Sequence, residues 1–151
     1  MKKVIALIVF ISVLSLLLFS CGREHDAHRM LSEFVRAYGA DGIIYSPQIP
    51  EGSDGYIFDG LINKIYIFHG IFPDNYAVFL NSRADVASEC AVFVCTDADM
   101  TDMVEEMSLE RVRLLASGDS RAFVKRSGNI VFYSTMPDRD RAEKIFNEII
   151  R

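Results

Sequence analysis

The sequence predicts an α+β fold: one antiparallel sheet built from two ββα units, with helices packed on one face and an N-terminal helix preceding them. Three observations carry this. From residue 76 onward the pattern runs strand, strand, helix, strand, strand, helix, and two such units side by side form a sheet layer under a helix layer. The helical stretches repeat apolar residues at i, i+3 and i+4. The run "CAVFVC", Cys90 to Cys95, is apolar throughout, which suits a central strand buried on both sides. The N-terminal helix, or a partner, then covers the second face.

Taken in order, the chain opens with Met1, Lys2 and Lys3, then an apolar run of 16 residues from Val4 to Phe19. A basic start followed by such a run is a secretory signal, and it is shorter than the roughly 20 residues that span a bilayer comfortably. It stops at Ser20-Cys21-Gly22, with Leu18 three residues before the cysteine. That resembles the lipobox of bacterial lipoproteins, whose cysteine thiol carries a diacylglyceryl thioether after the signal is cut. Phe19 is bulkier than the residue usual at its position. Residues 1–20 are therefore assigned to the signal peptide, 21–27 to a tether and 28–151 to a single α+β domain. Two acyl chains hold a protein stably at a membrane where one does so marginally.

From Ala27 the residues Met30, Leu31, Phe34, Val35 and Tyr38 trace one helical face, and Gly39 supplies its stop. Residues 40–60 read as loop around Pro47 and Pro50, with "GIIY" as a short strand. "LINKIYIFHG", "YAVFLNS" and "CAVFVCT" read as strands, although Leu61, Ile65 and Phe68 in the first also fit helical spacing. "DADMTDMVEEMSLERVRLLASG" reads as a helix. Asp97, Asp99, Asp102 and Glu105 suit its positive N-terminal end, and Met100, Met103, Val104 and Met107 mark its buried face. A hairpin follows, with turn residues Ser127, Gly128 and Asn129. The last helix starts at Pro137 and carries Ala142, Ile145, Phe146, Ile149 and Ile150 on one stripe.

Without Lys2 and Lys3 the 16 basic residues fall to 14 against 21 acidic, a mature net charge of −7. An acidic domain gains nothing from phosphate backbones and is repelled by anionic headgroups. Nucleic acid is excluded as a partner, and the membrane is reached through the lipid. Cys90 and Cys95 lie five positions apart on one strand, about 16 Å, beyond the roughly 7 Å a disulfide tolerates. Their odd separation sends them to opposite faces. Both are expected as free, buried thiols.

Little in the sequence points to chemistry, and no cofactor or metal is predicted. His69 is the one histidine of the folded part and no nucleophile elbow accompanies it. His25 and His28, beside Glu24 and Asp26, sit in or near the tether, and an alkylated Cys21 is no thiolate ligand. Asp97, Asp99 and Thr101 begin like a calcium loop, but Asp102 stands where the turn demands glycine and Ser108 where a bidentate Glu belongs. The candidate for ligand or partner contact is aromatic. Tyr56, Phe58, Tyr66, Phe68, Phe72, Tyr76 and Phe79 are seven of 17 aromatics within 24 residues, with Tyr56, Phe58, Tyr66 and Phe68 the residues singled out. Such a stripe can floor a groove or fill a core.

Gly-Ile-x-Pro at Gly70 to Pro73, Ala-Ser-Glu at Ala87 to Glu89, Gly128-Asn129 and Ala-Glu-Lys-Ile-Phe at Ala142 to Phe146 together resemble the bacterial lipoprotein family catalogued as domain of unknown function 4358, over residues 65–151. The stretch from Met107 to Arg121 is shorter than is usual there. The resemblance implies a small envelope lipoprotein, typically of bacteria with a single membrane, and brings no catalytic residues. The expected function is a non-catalytic interaction module, lipid-anchored on the outer face of the cytoplasmic membrane, with an envelope protein as partner. The alternative is a lipoprotein binding a small molecule or peptidoglycan fragment. An envelope hydrolase comes third.

Overall fold

The computed structural model describes residues 25–56, 66, 73, 75–81, 88–116 and 120–151. Residues 1–20, expected to be a signal peptide, together with Cys21, Phe58, Phe68, His69, Phe72 and nearly all of "LINKIYIFHG", lie outside them. The domain is α+β. Among the described residues it has three helices on a five-stranded, wholly antiparallel sheet.

Helix α1, Ala27–Tyr38, starts where the Asp26 carboxylate accepts the Arg29 N–H and ends at Gly39, whose φ of +73° is the left-handed cap. Strand β1, Gly42–Tyr45, is the expected "GIIY". Strands β2, Asn75–Asn81, and β3, Glu89–Val94, follow. Helix α2, Ala98–Ala116, begins where Asp97 Oδ1 accepts the Met100 N–H at 2.8 Å, so the first of its acids works as a cap. Strands β4, Phe123–Ser127, and β5, Ile130–Ser134, form the hairpin around Gly128, at φ +59°, and Asn129. Ser127 belongs to β4, opposite Ile130, rather than to the turn. Helix α3, Arg139–Ile149, is capped by Asp138, which accepts the Arg141 N–H. Pro137 therefore stands just before the cap and not at the first helical position.

The sheet order is β1-β2-β3-β5-β4, which leaves β1 and β4 as edges and places β3 and β5, with β2, inside. Both carry apolar side chains on both faces, as "CAVFVC" predicted for β3. On the first face Phe79, Cys90, Val92 and Phe132 meet Leu31 and Phe34 of α1 and Ala142 and Phe146 of α3. The Phe132 and Phe146 rings stack at 4.4 Å. On the second face Ala91, Phe93, Val131 and Tyr133 meet Val104, Met103 and Met107 of α2.

This corrects the placement of the helices. The two ββα helices lie on opposite faces, and the N-terminal helix joins α3 instead of covering the second face. Strands apolar on both faces need cover on both, and α2 supplies it over Phe93, Val131 and Tyr133 while α1 and α3 pack together on the first face. The shorter helices, 12 and 11 residues, share one face, and the 19-residue α2 covers the other. Tyr38 ties α1 to α3, its hydroxyl accepting the Asp138 N–H at 2.9 Å while Arg141 lies 5.1 Å over its ring. Cys90 and Cys95 are free, buried and on opposite faces, as their spacing required.

Candidate functional site

One polar cluster sits inside the second apolar face. Strand alternation turns Glu89, the first residue of β3, toward the side that holds Ala91 and Phe93. Its neighbour on β5 across Ala91 is Tyr133. From above, α2 delivers Arg111 one turn past the buried Val104 and Ser108 stripe. Tyr66, from the connection between β1 and β2, completes the group.

Arg111 grips the carboxylate with two parallel bonds, Nε to Oε1 at 2.9 Å and Nη2 to Oε2 at 2.6 Å. Tyr133 donates to the same Oε1, Tyr66 lies 3.3 Å from it, and the two phenols hydrogen-bond each other. The Arg111 guanidinium also covers the Tyr66 ring at 5.5 Å, a cation–π contact. Glu89 is 5 % exposed and both tyrosines are at most 1 %, so the charge is neutralised in place.

Burial pushes the Tyr66 phenol well above its usual range, and the Glu89 charge adds to this. Burial does the same to Tyr133, with the Tyr66 oxygen and Glu89 adding. Hydrogen bonding to Glu89 raises the Arg111 guanidinium in turn. Both phenols thus stay protonated at physiological pH and can donate. Accepting from Arg111, Tyr133 and Tyr66, the Glu89 carboxylate joins α2, β3, β5 and the β1–β2 connection.

Past this point α2 continues to Ala116. Ser108 is its last fully buried residue, and Arg111 and Val112 are half-buried. Leu109, Leu114 and Leu115 are 42 %, 65 % and 38 % exposed. At 100° per residue they point about 100–140° apart, so they surround the helix end rather than form one stripe.

Three of the four described members of the predicted aromatic stripe lie in the two cores. Tyr66 and Tyr76 fill the second face and Phe79 the first; Tyr66 packs edge-on to Phe93 at 5.8 Å. Tyr56 is half-buried and makes a single parallel bridge to Ser46. Of the four residues singled out for contact, Tyr66 is thus a core residue, Tyr56 lies beside the end of β1, and Phe58 and Phe68 lie outside the described residues. Sequence reasoning missed the Glu89, Arg111 and Tyr133 grouping. Its one local signal was an acid opening a strand that is otherwise apolar. Among the described residues no three His, Cys, Asp or Glu side chains assemble as metal ligands. The chain matches no family model, no curated protein and no solved structure.

Proposed function

We propose that this protein is a lipid-anchored envelope protein whose domain is a non-catalytic module that binds another protein. The carrying observation is the C-terminal end of α2, where Leu109, Leu114 and Leu115 stand exposed around and beyond the Glu89–Arg111 pair. Apolar side chains are commonly exposed singly; here three leucines fall within the last two turns of one helix, and they are the candidates for contact with a partner. The signal sequence ending at Cys21 supports the anchor and the position on the outer face of the cytoplasmic membrane. The short motifs that resemble the lipoprotein family of domain of unknown function 4358 would suit that setting. The alternative, a binder of small molecules or peptidoglycan fragments, rested on the aromatic stripe, and the burial of Tyr66 and Tyr76 in the core speaks against it.

The test is in-cell cross-linking and purification of the wild type, Cys21→Ala and Leu114→Lys. The expected result is a discrete partner with the wild type, reduced with Cys21→Ala and lost with Leu114→Lys while the variant stays folded. A partner retained undiminished by Leu114→Lys would sink the assignment of the surface. Full lipid labelling of Cys21→Ala would sink the anchor.

A further inference from the structure

Tyr66 enters the second core from the connection between β1 and β2 and is met there by β3, β5 and α2. Its ring stands edge-on to Phe93 of β3 at 5.8 Å and to Tyr133 of β5 at 6.3 Å. The Arg111 guanidinium of α2 covers it at 5.5 Å. Its hydroxyl meets the Tyr133 hydroxyl and lies 3.3 Å from Glu89 Oε1. Aromatic walls, a cationic cover and a carboxylate at the far end therefore surround one phenol, which is 1 % exposed.

Those groups hold one another without it. Arg111 binds both carboxylate oxygens of Glu89, and Tyr133 donates to Oε1. The Glu89 backbone is fixed in turn by Thr135, whose Oγ1 accepts the Glu89 N–H at 2.8 Å and whose N–H donates to the Glu89 carbonyl at 2.9 Å. The Tyr133 ring stacks on Phe93 at 6.3 Å. The Glu89 charge is thus paired whether or not Tyr66 is seated, and the Tyr66 hydroxyl brings its proton to acceptors already in place. A ring that only filled space between Phe93 and Tyr133 would be served as well by phenylalanine.

We propose that Glu89, Phe93, Arg111 and Tyr133 form a preassembled binding site for a phenol, occupied in this structure by the chain's own Tyr66. The ligand class is a para-substituted phenol. Glu89 Oε1 and the Tyr133 oxygen select the hydroxyl, the guanidinium selects the face of the ring, and the two aromatic neighbours select its flatness. The para position is where Tyr66 joins its backbone, so it leads out of the site and accepts a substituent. Tyr66 is an internal ligand, and its seat fastens the β1–β2 connection to the second face. A phenol from outside binds only where Tyr66 is absent. The site stands independently of the lipid anchor and of the leucines of α2.

The test vacates the site in the full-length protein with Tyr66→Gly and adds p-cresol, the tyrosine side chain without its backbone, or toluene, which lacks the hydroxyl. p-Cresol is expected to raise the melting temperature of the variant saturably. It is expected to bind at least about tenfold tighter than toluene, as a hydrogen bond to a charged group implies. The wild type, its site filled, is expected to show no saturable shift. Adding Glu89→Gln to Tyr66→Gly should narrow the margin over toluene. Where Tyr66→Gly does not fold alone, refolding with p-cresol and not with toluene is the expected result. Tyr66→Phe, which keeps the ring, should melt below the wild type. Equal effects of p-cresol and toluene, or no saturable response of Tyr66→Gly to either, overturn the site. Tyr66→Phe as stable as the wild type, or a margin unchanged by Glu89→Gln, overturns the selection of the hydroxyl. A wild type that responds to p-cresol as strongly as Tyr66→Gly overturns the occupancy by Tyr66.

Discussion

Arg111 closes a bidentate pair on Glu89 inside the second core, and with that pair the last half of α2 is fixed to β3. Removing one partner of a buried pair strands the other, at a typical cost of roughly 3–5 kcal/mol. The Arg111 side chain is 21 % exposed and Glu89 keeps two phenol donors, so Arg111→Ala is expected near the lower bound. Glu89→Gln leaves a guanidinium that can turn to water and should cost less. Urea unfolding of both variants and of the double mutant measures the coupling. A change below about 0.5 kcal/mol for Arg111→Ala, the range of ordinary surface substitutions, would show that the pair does not hold the helix.

Stability should fall in alkali, by a definite sign. Burial raises the phenols of Tyr66 and Tyr133 and the thiols of Cys90 and Cys95 in the folded state. A group raised on folding contributes fully below its unfolded pKa and loses that contribution as pH climbs toward the folded value. The loss should begin near pH 9 as unfolded thiols ionise, then steepen above about pH 10 with the phenols. Each group adds up to about 1.4 kcal/mol per pH unit. Tyr133→Phe should flatten the upper part of the profile, measured as unfolding midpoint against pH. An unchanged slope would place that phenol in water.

Ser108 Oγ is wholly buried and has no hydrogen-bond partner among the described residues. An unpaired buried hydroxyl costs about 1–3 kcal/mol. Ser108→Ala should be neutral or raise the melting temperature, whereas Ser46→Ala should lower it. The Ser46 hydroxyl donates to the Tyr76 carbonyl at 2.9 Å. A calorimetric scan in which Ser108→Ala melts well below the wild type would reveal a bond to that oxygen.

Cys90 and Cys95 sit in different cores and are each at most 2 % exposed. Thiol reagents should leave both untouched in buffer and modify both only as the domain unfolds. Rapid labelling of either one under native conditions would contradict the burial.

Local pattern was enough to read α1 with its Gly39 stop, the hairpin at Gly128-Asn129, the stripe of α3 and the separation of the two thiols. Each depends on a period of 3.6 or 2 within a few residues, or on the φ that one glycine permits. The α+β class followed from the order of those elements. What the tertiary structure alone decided is which face each helix takes, because β3 and β5 are apolar on both sides and their pattern favours neither. It also decided that Glu89 meets Arg111, 22 residues on, and Tyr133, 44 residues on. An isolated acid in an apolar strand signals a need for partners. Only the packing of α2 across β4 and β5 determines which arginine comes within reach.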